Sequence, residues 1–284
     1  VQFVGYDSGD VDENQRLSSA REGHCPSGNR KPAASGDNQN ALRSGDGDLL
    51  LADDGEVEYV DLTPGTEIAY TLGERHCAGI VDDDGHTACG ADGAPYCDQH
   101  SHVWVCARCT GDCLKDEMDC FEDHAVYLAA FAPDTFKVGV TREWRLETRL
   151  LEQGADRAAH IRTVDDGRAA RRIEAGIAER IPDRVRVPTK IDGFGRHVDE
   201  AAWQELLTEF DPIETFEFDY DLDLSGRPVS ETMATGTVRG VKGRVLLLDR
   251  GGSTYAVDLR RLVGHEVTEG ATDREMQSSL GAFG

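Results

Sequence analysis

Seven of the eight cysteines fall between positions 77 and 120, and His100 stands three residues after Cys97. Thiolates and an imidazole at such spacing are zinc ligands, and eight of them fill two tetrahedral sites. The simplest partition assigns Cys77, Cys89, Cys97 and His100 to one ion, and Cys106, Cys109, Cys113 and Cys120 to a second. Cys106-Ala-Arg-Cys109 is a tight knuckle whose turn points both sulfurs inward, eased by Gly111. His76, His86, His102 and His124 lie close enough in sequence to replace a ligand, and the all-cysteine set also suits an iron–sulfur cluster. Fully protein-ligated zinc is structural. It would supply on the order of 10 kcal/mol of folding free energy per site to a stretch rich in Gly, Asp and Thr.

These ligands need elements to hold them. Residues 2–6, 48–52, 56–62 and 67–72 alternate as strands and form a short meander, interrupted at 13–46 by a Gly/Ser/Asn/Asp-rich insert expected to be disordered. Strand signals return at 235–239, 244–249, 253–259 and 264–268. The two ends echo each other. Leu49-Leu50-Leu51, a glycine turn, Tyr59-Val60-Asp61-Leu62 and Gly65-Thr66-Glu67-Ile68 correspond to Leu246-Leu247-Leu248, a glycine turn, Tyr255-Ala256-Val257-Asp258-Leu259 and Gly264-His265-Glu266-Val267. Neither piece has enough strands for its own core, so the expectation is one small barrel or sandwich built from both ends.

Between the ends, residues 125–131 and 136–141 read as a hairpin turned at Pro133-Asp134. A helix over 142–153 stopped by Gly154 follows, then one over 166–181 stopped by Pro182, and a third over 199–210. The fold class expected is α+β. Its divisions are a β meander at 1–72, a Cys-rich zinc region at 73–124, a small α/β domain at 125–212, and a C-terminal β segment at 213–284 that pairs with the N-terminal strands.

Charge is the strongest compositional signal. The net charge is -24, and lysine accounts for only Lys31, Lys115, Lys137, Lys190 and Lys242 among 30 basic residues. An acidic coat poor in lysine suits a salt-rich cytosol, where screening leaves only local charge to act. Residues 137–180 hold ten basic groups against eight acidic ones, unlike the rest of the chain. Arg142, Arg145 and Arg149 form the candidate nucleic-acid face, the alternative being a helix pair with salt-bridged sides. No apolar run approaches a membrane span, and no charged start precedes an apolar stretch, so a cytoplasmic protein without membrane contact is expected.

The central segment resembles the GIY-YIG nuclease superfamily. Tyr127 falls on the tyrosine of the first strand motif, Lys137-Val138-Gly139 on the second motif with Lys in place of Tyr, Arg149 on the helix arginine and Glu174 on the glutamate; Ala125-Val126 replaces Gly-Ile. The whole ordering is similar to the domain of unknown function 2797 family: a Cys-rich stretch, His-Ala-Val-Tyr-Leu-Ala, Lys-Val-Gly-Val-Thr, Glu-Gln-Gly-Ala and a C-terminal Gly-Val-Lys-Gly strand. The nuclease resemblance implies a phosphodiester-cleaving endonuclease acting on DNA or RNA. Glu174 would hold Mg2+, Arg149 would stabilise charge on the phosphate, Tyr127 would position or deprotonate water, and Lys137 would hold a phosphate oxygen. Arg145, one helical turn from Arg149, is the rival for the arginine role. The ordinary alternatives are a half-buried strand tyrosine, an Arg149–Glu174 helix–helix ion pair and a solvated Lys137. Two other functions fit the sequence: a module that grips nucleic acid without cutting it, and a protein-interaction scaffold.

Overall fold

A computed structural model describes residues 1–7, 47–101 and 122–272. The 13–46 insert and the ligand set Cys106, Cys109, Cys113 and Cys120 lie outside the described residues. In chain order the elements begin with β1 (Gln2–Asp7), β2 (Asp48–Asp53), β3 (Glu56–Asp61) and β4 (Glu67–Arg75), followed by the small hairpin β5 (Ile80–Asp82) and β6 (Gly85–Thr87). Next come β7 (His124–Phe131), β8 (Thr135–Arg142), α1 (Leu146–Gln153), β9 (Arg157–Val164), α2 (Gly167–Ala178), α3 (Val187–Asp192), α4 (Glu200–Leu207) and β10 (Glu214–Glu217). The chain then gives β11 (Val229–Ser230), β12 (Ala234–Lys242), β13 (Val245–Arg250), β14 (Ser253–Asp258), α5 (Leu259–Leu262) and β15 (His265–Glu269).

Strands from both ends of the chain lie in one sheet of nine, in the order β11-β14-β13-β12-β4-β15-β1-β2-β3. The order carries a two-fold correspondence that follows the sequence echo. Exchanging β1 with β12, β2 with β13, β3 with β14 and β4 with β15 reverses the eight-strand list onto itself. Register agrees: Phe3 faces Leu51 and Gly5 faces Leu50 across a bulge, as Val238 faces Leu248 and Gly240 faces Leu247 across another. Each half lends its fourth strand to the other, since β4 pairs with β12 and β15 with β1. Equivalent backbone bonds seal the exchange, Gly65 N to Val238 O at 2.7 Å and Gly264 N to Phe3 O at 2.8 Å.

One core unites the halves. Phe3, Leu49, Leu51, Leu62 and Ile68 are buried with Val238, Leu246, Leu248, Val257, Leu259 and Val267. No closed barrel forms, because among the described residues β3 and β11 remain edges of the sheet. On the other sheet face each half takes a different cover. Val4, Leu50 and Ala52 pack against Ala78, Val81 and Tyr96 of the cysteine loop, whereas Val245, Leu247 and Ala256 pack against Val187, Ile191 and Phe194 of α3.

The second sheet has the order β10-β9-β7-β8. Its central strand β7 is buried along almost its whole length and separates two cores. Ala125, Tyr127, Ala129 and Phe131 face Leu146 and Leu150 on one side, while Val126, Leu128 and Ala130 face Ala170 of α2 and Trp203 and Leu207 of α4 on the other. The segment 213–284, expected to pair with the N-terminal strands, gives its first strand to this sheet. β10 pairs with β9, and Phe216 and Phe218 pack beside Tyr127's core, because the Glu-Thr-Phe-Glu alternation completes this sheet rather than the nine-stranded one. α3 likewise covers the large sheet although it lies within 125–212.

Candidate metal centre and cation cluster

Cys77 follows β4 after one intervening residue and is fully buried. Its Sγ, those of Cys89 and Cys97, and a ring nitrogen of His100 lie within 4.8 Å of one another. His100 presents Nδ1, 3.2 Å from the Cys77 sulfur and 3.5 Å from that of Cys97. Backbone N–H groups of Gly79 and Cys97 point at the Cys77 sulfur at 3.4 and 3.3 Å. Three thiolates and one imidazole converging at this range could hold a zinc ion, with every tetrahedral position taken by protein. Such a site braces and leaves no open position for chemistry.

The surrounding bonds show what it braces. Cys77 N donates to Ala91 O at 2.8 Å and Ala78 N to Pro95 O at 2.8 Å, fastening the ligand loop to the end of β4. His76 N donates to Gly264 O, and Gln2 Nε2 donates to the same carbonyl at 2.9 Å, fastening that end to β1 and β15. Of the alternative histidines, His76 contacts the Cys89 carbonyl, His86 that of Ala78 and His124 that of Glu122, so none of these three joins the sulfurs.

The residues expected to handle phosphate are placed by β7, β8 and α1. Tyr127 is 1% exposed, and its ring lies directly over Gly139, where a Cβ would come within 2.4 Å of the phenol oxygen. The glycine of Lys-Val-Gly-Val-Thr is thus a seat for the tyrosine. Gln153, the last residue of α1, donates to the Tyr127 hydroxyl at 2.6 Å and accepts from Lys137 Nζ at 2.8 Å. Arg149, one turn earlier, also meets the Tyr127 phenol. Tyr127, Lys137 and Arg149 therefore share one site.

Glu174 does not join them. It lies on α2, whose apolar side packs on the opposite sheet face, and its carboxylate is bonded to Arg171 at 2.7 Å. The Arg149–Glu174 ion pair does not form either, since Glu152 bridges Arg145 and Arg149 at 2.8 Å each. Arg142 pairs with Glu122 at 3.0 Å. The residues present do not fit the Mg2+ site that Glu174 was expected to provide.

Two lysines enter the cluster from elements that the sequence reading did not connect to it. Lys190 of α3 donates to the Gln153 backbone carbonyl at 2.6 Å and lies 4.6 Å over the Phe131 ring. Lys242 reaches it from the β12–β13 turn and is ion-paired with Asp156. α1 and this turn meet backbone to backbone: a Cβ on Gly243 would fall 2.6 Å from Gly154 N, and both glycines have positive φ. Burial and then the charges of Lys137, Arg244, Arg149 and Lys242 pull the Lys190 pKa down to about 7. The three described lysines of a chain with five thus meet at one place, joining the Lys-Val-Gly, Glu-Gln-Gly and Val-Lys-Gly segments. Lysine scarcity was the signal that could have found them.

The family model described as "Protein of unknown function (DUF2797)" matches residues 65–225. The chain belongs to the DUF2797 family. That match takes in the Cys77–His100 centre and Tyr127, Lys137, Arg149, Gln153 and Lys190 of the cation cluster, while Lys242 lies beyond it. Comparisons of this DUF2797 chain with curated proteins and with solved structures give no match. Among the described residues no helix is long and apolar enough to cross a membrane.

Proposed function

We propose that this chain is a zinc-braced nucleic-acid-binding protein that grips phosphate at the Lys137, Lys190 and Arg149 cluster without cutting it. The observation that carries this reading is the gathering of lysines and arginine around Tyr127 and Gln153, with amide oxygens as the acceptors for Lys137 and Lys190. Cations so placed, with Coulomb forces strengthened by burial, suit an anion that brings its own negative charge. Trp144 supplies a complementary group. It is 59% exposed and 5.9 Å from the Arg145 guanidinium, and an exposed ring beside arginines can stack on a nucleobase.

The GIY-YIG-like endonuclease is the second reading, favoured by the shared site of Tyr127, Lys137 and Arg149. It needs a carboxylate-held Mg2+ at that phosphate. Glu174 sits on the helix of the other face, and Glu152 is engaged by two arginines, which favours binding over cleavage. The test combines fluorescence anisotropy on DNA and RNA oligonucleotides with a nicking assay in Mg2+ and high salt. Lys137→Ala and Arg149→Ala are expected to weaken binding, Glu174→Ala to leave it unchanged, and no nicking is expected. Trp144→Ala should cost about 1–3 kcal/mol of oligonucleotide binding. Cleavage lost on Glu174→Ala would reinstate the endonuclease, and no binding to either polymer would end both readings.

A further inference from the structure

Lys137 is 9% exposed and Lys190 is partly buried, and neither has a carboxylate partner among the described residues. Burying an ammonium without a counter-ion is costly, and placing a second beside it adds repulsion. Among the described residues, the neighbouring cations Lys242, Arg244, Arg145 and Arg149 are matched or share a carboxylate. Lys242 has Asp156, Arg244 has Asp258, and Arg145 and Arg149 divide Glu152 between them. With Lys190 protonated, the form that a bound anion favours, the cluster thus holds two ammonium charges and one guanidinium charge in excess.

We propose that Lys137 and Lys190 form the seat of a phosphomonoester, a terminal phosphate bearing two negative charges, in preference to a phosphodiester inside a chain. This rests on the anion-binding reading above and names its ligand class. A diester supplies one negative charge against the excess, whereas a monoester dianion comes closer to matching it. Shape argues the same way. Around Gln153 stand the Lys242-Gly243-Arg244 turn, packed against Gly154, and α3, whose Lys190 reaches the Gln153 backbone carbonyl at 2.6 Å. A terminal group can enter such a crowded site from one side, but an internal diester must leave it in two directions. The phosphate could come from the end of a nucleic acid or from a small phosphorylated molecule, and the chemistry at the lysines is the same.

The experiment uses the full chain at one fixed salt concentration. Oligonucleotides ending in 5′-phosphate, 3′-phosphate or hydroxyl are compared by anisotropy, and inorganic phosphate is titrated in a thermal melt. One phosphorylated end should bind at least about tenfold more tightly than the hydroxyl end, and phosphate should raise Tm. Lys137→Met and Lys190→Met should abolish both effects, and Lys190→Arg should retain them. Since each Met variant removes an unmatched buried charge, its Tm without phosphate should stay level or rise, so lost binding is separable from lost folding. Equal binding of all ends, with affinity still dependent on Lys137, would overturn the phosphomonoester seat and leave the nucleic-acid reading standing. A lysine-dependent Tm rise with phosphate but no oligonucleotide binding would do the reverse, retaining the seat and assigning it to a small phosphorylated molecule. No Tm rise together with no end preference would also overturn the seat.

Discussion

Lys190 concentrates the energetics of the site in one side chain. Its pKa is drawn from the ordinary 10.5 to about 7 by burial and by neighbouring cations, so the folded chain holds fewer protons than the unfolded chain between those values. Stability therefore rises with pH across roughly 7 to 10.5, and the penalty is fully present below about 7. Denaturant melts of the wild type and Lys190→Met should differ by this slope. The variant should be more stable at pH 6 by on the order of a few kcal/mol and lose that advantage near pH 10.5; parallel pH profiles would show that the lysine is not held in this way. Gly139 is the complementary case, where a methyl group has nowhere to go. Gly139→Ala should cost roughly 1–3 kcal/mol in urea melts and displace the Tyr127 hydroxyl from Gln153, and an unaltered melt would contradict the tyrosine's position over the glycine.

At the scale of elements, the cysteine loop and α3 do equivalent work on the two halves of the large sheet. The loop covers Val4 and Ala52 and ties β4 to β1 and β15 through His76 and Gln2, so removing a zinc ion held by its Cys77, Cys89, Cys97 and His100 cluster should loosen the β1–β15–β4 seam. Chelation is expected to lower Tm, and hydrogen exchange should increase first in β4, β15 and β1. Cys77→Ser should reduce bound zinc by one ion per chain in elemental analysis, and a variant with unchanged zinc content would exclude the Cys77–His100 centre. The helices illustrate what spacing can and cannot reveal. Gly154 ends α1 as expected, with positive φ, because a glycine C-cap is a local signal. α3 is six residues long, and its placement is set by Val187, Ile191 and Phe194 packing on Leu247, a tertiary fact without local periodicity.

The whole molecule is organised by an exchange of strands between two similar halves, and the echo of Leu49–Leu51 in Leu246–Leu248 carried that information in the sequence. The sharing of one sheet by the two ends was legible because each meander lacked the strands to bury its own face. Closure into a barrel was not, since it depends on whether the outermost strands β3 and β11 meet. Tyr127, Lys137 and Arg149 were singled out by the resemblance of consecutive elements to a nuclease motif, and their side chains lie near one another. Lys190 and Lys242 were not, because they arrive from α3 and from the distant β12–β13 turn. Glu174 looked equivalent to them in sequence, yet the strand between the two cores separates α2 from Tyr127's face. The acidic coat acts on the molecule as a whole. With a net charge of -24, Tm should climb as KCl is raised from dilute to molar concentrations, because screening relieves self-repulsion. A flat salt profile would separate the charge from stability.

The presence of only five lysines makes the central claim directly measurable. In protein labelled with 15N and 13C at lysine, each side-chain ammonium gives a signal that can be assigned by single Lys→Arg replacement. On titration with a phosphorylated oligonucleotide, the signals of Lys137 and Lys190 should shift together and saturate at one ligand per chain. If they remain fixed while the oligonucleotide binds, or if Lys31 and Lys115 move in their place, the cluster around Gln153 is not where this protein holds phosphate.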